Sequence, residues 1–164
     1  ISWFWGSATP SWLLLRTPLK PTGCPMLPEL TITDHFTPEE EQAILDRLQA
    51  YNIENFGPMD RKDLAIILRD GAGEPEGGLL GRTGRGWLYV QMLFVPEHLR
   101  GQGIAKRLLA MAEEEARSRG CVGAYLDTMN ASALPFYLKQ GYEPIGRLEG
   151  LTGGHSVTWL KKRL

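Results

Sequence analysis

Between residues 87 and 128 the chain reads as a strand, then a helix, then a strand again, and few folds accommodate that order. Residues 87–95 (WLYVQMLFV) form a long apolar strand pattern. Residues 103–119 then carry Ile104, Leu108, Ala112 and Ala116 at every fourth position, with Ala105, Leu109 and Met111 widening the stripe, as an amphipathic helix requires. Gly120 is placed to end that helix in a left-handed cap, and residues 121–128 resume a strand. A strand–helix–strand unit in one sheet needs a right-handed crossover and pairs its strands in parallel. On the helix surface, Glu113 with Arg117 and Glu115 with Arg119 are expected as exposed i,i+4 ion pairs.

The flanking segments add mainly antiparallel structure. Residues 29–33 alternate polar and apolar and predict a strand. Thr37, Pro38 and the acids Glu39–Glu41 form a helix start, with a capping hydroxyl, proline at the first helical position and negative charge in the first turn. Ile44, Leu45 and Leu48 mark the apolar stripe of that helix, which is expected to run to about Tyr51. Residues 52–60 then read as a loop or a broken helical segment. Residues 64–68, 79–83 and 87–95, joined by glycine turns, are most simply an antiparallel meander. Residues 132–140 predict a short helix closed by Gly141, with Pro135 tolerable because it falls in the first turn. The final strands are placed at 142–148 and 156–160. The sum is a mixed α/β (α+β) sheet with helices on its faces, within one domain, as 164 residues allow.

The turn between strand and helix reads Pro96-Glu97-His98-Leu99-Arg100-Gly101-Gln102-Gly103-Ile104-Ala105. Pro96 has no N–H to give to a ladder and ends the strand. Gly101 and Gly103 allow backbone angles closed to other residues and leave no side chain between the backbone and a ligand. The N–H groups that follow have no intrahelical acceptor and meet an anion at the positive end of the helix dipole. Arg100 can add a charge-assisted contact. Two better-known phosphate motifs fail. No Gly-Lys-Ser/Thr follows a four-residue spacer, and Lys106 stands where a dinucleotide fingerprint needs its third glycine.

Arg100, Gly103 and Ala105 instead make an Arg-x-x-Gly-x-Ala segment. It resembles the acyl-CoA signature of the GNAT superfamily of N-acetyltransferases. A second segment, residues 127–142, resembles that family's Asn-x-x-Ala and Tyr-x-x-x-Gly-Phe/Tyr pattern, with Asn130, Tyr137, Gly141 and Tyr142 in register. The resemblance covers roughly residues 29–164 and is sharpest over 90–142. It implies a GNAT-like, mostly antiparallel sheet of six to seven strands with a central parallel splayed pair and helices on both faces. It also implies acetyl-CoA as co-substrate and an amine as acceptor.

The same resemblance assigns residues. The pantetheine arm is expected along Leu93, Phe94 and Val95, and the pyrophosphate on Arg100, Gly101, Gln102, Gly103, Ile104 and Ala105, with Lys106. Asn130 would contact the pantetheine amides and Phe136 would line the groove. Tyr137 matches the tyrosine assigned as general acid, a phenol of reference pKa about 10 able to protonate a departing thiolate. A backbone amide on the splayed strand, that of Leu93, is expected as oxyanion donor. An amine of pKa about 10.4 is almost wholly protonated at neutral pH, so a proton acceptor is needed. Glu54, Asp60, Asp127, His98 and His155 are the candidates. The acceptor pocket is expected from the first helix, the 52–60 loop and the 148–155 loop, with Tyr51, Phe56 and Trp87 as walls. A small molecule or a peptide could supply the amine.

Composition sets the remaining bounds. A formal net charge of −1 gives no electrostatic reason to expect nucleic acid or an anionic membrane as partner. Two cysteines, Cys24 and Cys121, cannot build a disulfide framework or a metal site, and Cys121 reads as a buried small hydrophobe, so a cytoplasmic setting is expected. The basic run Lys161-Lys162-Arg163 is expected to solvate a strand end. Residues 1–25 are apolar but broken by Pro10, Pro18, Pro21 and Pro25. They are expected to be an appendage without function, leaving 26–164 as the catalytic domain. No apolar run approaches the length needed to cross a bilayer. Family members often dimerise, although no patch reads as an interface. Two other functions share parts of this pattern: an inactive CoA-binding module serving a protein partner, and a nucleotide-dependent oxidoreductase. The missing third glycine and the antiparallel start weigh against the oxidoreductase.

Overall fold

The structure is a computed structural model and describes residues 28–164; the appendage expected at 1–25, Cys24 included, lies outside them. The chain divides into two units, one ending at Ile44 and the other running from Leu45 to Leu164. In the first unit, residues 28–37 have no regular secondary structure, so the strand expected at 29–33 does not form. Leu30 and Ile32 are exposed, and the Thr33 hydroxyl donates to the His35 carbonyl at 2.8 Å while accepting its N–H at 3.0 Å. A side chain that bonds the nearby backbone competes with a sheet ladder, and no strand among the described residues pairs with this segment to offset it.

Helix α1 (Pro38–Phe56) begins as its sequence dictates. Thr37 Oγ1 accepts the Glu40 N–H at 3.2 Å, and Glu40 Oε2 accepts the Thr37 N–H at 2.8 Å, a reciprocal capping box. The helix passes Tyr51 and continues to Phe56, because no breaker occurs before Gly57. That glycine takes φ 79° and donates its N–H to the Ile53 carbonyl. α1 buries none of its residues, and Leu45 and Leu48 stay exposed.

The second unit holds a six-stranded sheet in the order β1-β2-β3-β4-β6-β5. Its strands are β1 (Lys62–Arg69), β2 (Pro75–Gly84), β3 (Trp87–Phe94), β4 (Gly123–Thr128), β5 (Glu143–Leu151) and β6 (His155–Arg163). Only β3 and β4 are parallel, as the crossover through α2 (Ile104–Ser118) demands. The expected fold class stands, with six strands rather than seven. α2 packs its stripe against β1 to β4, and the short α3 (Leu134–Lys139) joins the same core through Phe136 and Tyr137. That core centres on Leu79, Leu88, Leu109, Leu126 and Leu160, all fully buried, and Cys121 is buried beside it as expected.

Both helices end in the glycine motif read from the sequence. Gly120 has φ 79°, Cys121 N–H donates to the Ala116 carbonyl and Gly120 N–H to that of Arg117. Gly141 repeats the arrangement on α3, with Tyr142 N–H bonded to the Tyr137 carbonyl at 3.1 Å. α3 follows a 3-10 turn over Ala131–Ala133, so Pro135 falls in its first turn and costs no helical bond.

Of the two surface pairings expected on α2, Glu115–Arg119 forms and Glu113–Arg117 is displaced. Glu113 is buried, and its Oε2 lies 2.6 Å from Lys162 Nζ on β6, whereas Arg117 is 3.9 Å away and pairs more closely with Glu114. Lys162 therefore does not solvate the strand end; its ammonium sits over the Tyr142 ring at 5.6 Å. Arg119 does meet Glu115 at 2.7 Å, but its Nη1 also donates to the carbonyls of Lys62 and Asp63 and to Thr83 Oγ1. It stitches the end of α2 to the first hairpin.

Between β2 and β3 the register shifts: Leu80 faces Met92 and Gly81 faces Val90, leaving Gln91 as an extra residue. Gly81 lies at this bulge because a Cβ there would meet the Tyr89 carbonyl at 2.4 Å. Gly81→Ala must displace backbone, and it is expected to cost about 1–3 kcal/mol by denaturant titration. A midpoint equal to the parent's would contradict this reading of the bulge.

Candidate active site

The parallel pair is joined at one end only. β3 and β4 pair from Trp87 with Gly123 to Val90 with Leu126, then stop. Both continue against their outer neighbours, β3 on β2 through Met92, Leu93 and Phe94, and β4 on β6 through Asp127 and Thr128. The bulge at Gln91 bends β3 at the point where the two strands part. The result is an open seam between them.

Two adjoining cavities occupy the seam and the turn beyond it. The first, about 320 Å³, is bounded by Leu93, Phe94, Val95, Arg100, Asn130 and Tyr137, among others. The second, about 450 Å³, is formed by the turn itself, including Arg100, Gly101, Gly103, Ile104, Ala105 and Lys106, with Phe136 shared between the two. Of Tyr137 and the residues expected to hold the donor, Gln102 alone borders neither; its side chain donates to the His98 carbonyl at 3.2 Å. Ser132 and Ala133 in the first cavity, and Leu99 and Gln140 in the second, were not anticipated. The asparagine cap at Asn130 was the available signal for Ser132, since its Oδ1 accepts the Ser132 N–H at 2.9 Å and draws that residue to the cavity. This leaves the Asn130 NH₂ as its remaining donor.

The turn is built for close backbone approach. Gly101 and Gly103 both have φ 77°, and nothing lies within 4 Å of where their Cβ atoms would be. Gly103 is the N-cap of α2 and supplies no side chain to cap it, and no acid stands in the first turn. The first intrahelical bond at this end is Arg107 N–H to the Gly103 carbonyl, so the preceding N–H groups are left for an external acceptor. Arg100 is held in place by its Nε, which donates to the Val95 carbonyl at 3.1 Å.

Tyr137 is 8% exposed and packs edge-on against Phe136 and Tyr142. Its hydroxyl makes no hydrogen bond to the described residues. Burial pushes its pKa above the usual phenol value, and the negative charge of Asp127 adds to the rise. Tyr142 behind it is pushed much further up by burial and by the nearby Glu113.

The candidate bases separate. Asp127 is the first β4 residue past the last β3–β4 pair, and its Oδ1 lies 2.9 Å from the Tyr89 hydroxyl. That bond, followed by burial, raises the Tyr89 pKa. Asp60 accepts the Arg85 backbone N–H at 2.7 Å, which lowers its own pKa. His98 is 2.9 Å from Glu76, and Glu54 and His155 are exposed. Asp127 is therefore the candidate at the seam. The expected 52–60 loop shrinks to residues 57–61, because α1 takes the rest; Met59 and Asp60 from it do border a cavity with Trp87.

A mixed sheet opened between its one parallel pair, with a glycine turn and helix start at the mouth, is an arrangement suited to an acyltransferase. The profile of the acetyltransferase (GNAT) family matches residues 29–142, and the chain belongs to that family. It is 57% identical over 132 residues to acetyltransferase Atu2258 of Agrobacterium fabrum, covering 80% of this chain and 96% of that protein. It is 42% identical over 93 residues to the blasticidin-S acetyltransferase of Streptomyces morookaense, covering 56% of this chain and 68% of that one. The crystal structure of an acetyltransferase-family protein from Agrobacterium tumefaciens superposes with a TM-score of 0.80 at 55% identity, over 83% of this chain and 99% of that one. The protein is thus an acyltransferase. No helix among the described residues is long and apolar enough to cross a membrane.

Proposed function

We propose that the protein transfers the acetyl group of acetyl-CoA to an amine of a small molecule or peptide, with Tyr137 as general acid. The observation that carries this reading is the seam. Unpaired β3 backbone, the α2 start and the Tyr137 side chain border one continuous pair of cavities. The pantetheine arm lies along Leu93 to Val95 as a surrogate strand, with Asn130 and Phe136 across from it. The pyrophosphate sits on the free N–H groups from Gly101 to Lys106 with Arg100 beside it; an anion at such a helix start gains about 0.3–1 kcal/mol, up to about 2 when partly buried.

In the transfer, the amine nitrogen forms a bond to the thioester carbonyl carbon, and the oxygen takes negative charge facing the Leu93 amide. The carbon–sulfur bond then breaks, and the departing sulfur takes the Tyr137 proton. The nitrogen gives up its own proton to Asp127 or to water beside it. An unionised phenol suits the acid role, and the burial that raises its pKa keeps it in that form.

Thermal denaturation with ligand tests the donor assignment. Acetyl-CoA at about a hundredfold excess over its Kd should add about 2.7 kcal/mol. For a chain of this size that is a rise of roughly 5–10 °C in Tm. NAD should leave Tm where it is, and a protein stabilised by NAD but not by acetyl-CoA would refute the assignment. Thiol release measured over an amine panel, with blasticidin S included because of the named relative, then identifies the acceptor.

A further inference from the structure

The sheet face away from α2 carries a third cavity, of about 310 Å³, that shares no lining residue with the two at the seam. Its floor is aromatic. Tyr89 and Tyr125 stack at 4.9 Å between centroids, and Trp87 meets Tyr125 edge-on at 6.4 Å. Alternation along β3 and β4 puts these three on one face, while Leu88, Val90, Ala124 and Leu126 point into the core. The rim is cationic. Arg82 lies 4.8 Å over the Tyr89 ring and donates to Gln91, and Arg85 donates to the Phe56 carbonyl. Neither forms an ion pair among the described residues, whereas Arg61 at the same rim is paired with Asp63. The cavity's carboxylate, Asp60, has Oδ1 engaged by the Arg85 backbone.

Arg85 is also strained. It is the one described non-glycine residue with positive φ, at 51°, in the two-residue turn joining Gly84 to Trp87. Such turns are relaxed with Asn or Asp at that position, so a strained arginine there points to a use for its side chain.

The geometry connects this cavity to the seam. The Tyr89 ring spans the gap, with Arg82 over its face and its hydroxyl on Asp127 at the point where β3 and β4 part. A cation and a carboxylate thus stand about one aromatic ring apart. We propose that this face binds the far end of the acceptor: a planar group bearing a carboxylate or similar anion, packed against the ring edges of Tyr89 and Tyr125 and paired with Arg82 and Arg85, with its amine beside Asp127. This rests on the seam as the reaction centre and adds a substrate class, the amino-substituted aryl acid.

The test uses a matched pair of probes, 4-(aminomethyl)benzoate and 4-methylbenzylamine, which differ only in carrying carboxylate or methyl at the far end. Equilibrium binding by calorimetry should favour the benzoate by at least about tenfold in the parent. The preference should fall close to unity in Arg82→Met/Arg85→Asn. The Asn change suits the turn, so that variant should fold, and a Tm shift with acetyl-CoA verifies that it has. Equal affinity for the two probes, a preference that survives in the double variant, or no binding of the benzoate at millimolar concentration would each overturn the proposal. Acetyl transfer is scored separately. Tight benzoate binding without transfer to any amine counts against the transfer reading and leaves the subsite standing. Transfer to amines without a preference for the acid removes the subsite alone.

Discussion

Tyr137→Phe is expected to lower kcat by about 10²- to 10⁴-fold, the range for loss of a positioned acid, with little change in the affinity for acetyl-CoA. Phenylalanine keeps the edge contacts to Phe136 and Tyr142 and removes only a hydroxyl that bonds to no described residue. Loss of packing therefore cannot explain a large effect. The pH profile supplies a separate check. Burial and the charge on Asp127 both disfavour the phenolate, so the folded pKa lies above the ordinary value of about 10. The alkaline fall in parent kcat due to Tyr137 thus belongs above about pH 10. A Phe variant with the parent's kcat and profile would remove Tyr137 from the chemistry.

Lys162→Met should be the most damaging single change to stability outside the core. It leaves the Glu113 carboxylate, which is 6% exposed and has one oxygen with no partner even in the parent, with only the more distant Arg117 at 3.9 Å. Breaking a buried pair from one side costs about 3–5 kcal/mol, and the lower figure applies here because Lys162 is partly exposed. A loss of about 3 kcal/mol lowers Tm by roughly 6–12 °C. Removing the second charge as well, in Lys162→Met/Glu113→Leu, should recover most of that loss, since two apolar groups replace two desolvated ions. If the single variant loses under about 1 kcal/mol, or the double is no better than the single, the pair is not behaving as a buried one.

What the sequence made legible was governed by near neighbours along the chain. The α2 stripe, the caps at Gly120 and Gly141, and the Gly101–Gly103 turn follow from local period and backbone freedom. The residues expected to hold the donor come together in space, with Gln102 as the exception. Glu113 was misread for the opposite reason. The i,i+4 rule sees only its own helix, while the partner that matters is 49 residues away on β6. Asp127 could be named as a candidate base, but its bond to Tyr89, 38 residues earlier, depends on the register of the parallel pair, which the strand–helix–strand pattern does not fix. Trp87 was assigned as an acceptor wall from its position, whereas the stacked floor with Tyr89 and Tyr125 needed the register of β3 against β4. The strand at 29–33 fails because alternation describes a face and cannot supply a neighbour.

The seam has a mechanical consequence as well as a chemical one. The six strands form two plates of three, β1-β2-β3 and β4-β6-β5, fastened along four residue pairs at one end. Beyond Leu126 the plates are held by α2 and by the single Tyr89–Asp127 bond bridging the gap. With the donor placed along β3 as proposed, an extended molecule bonded to that edge would act as a seventh rib and stiffen the frame that carries Tyr89 and Asp127.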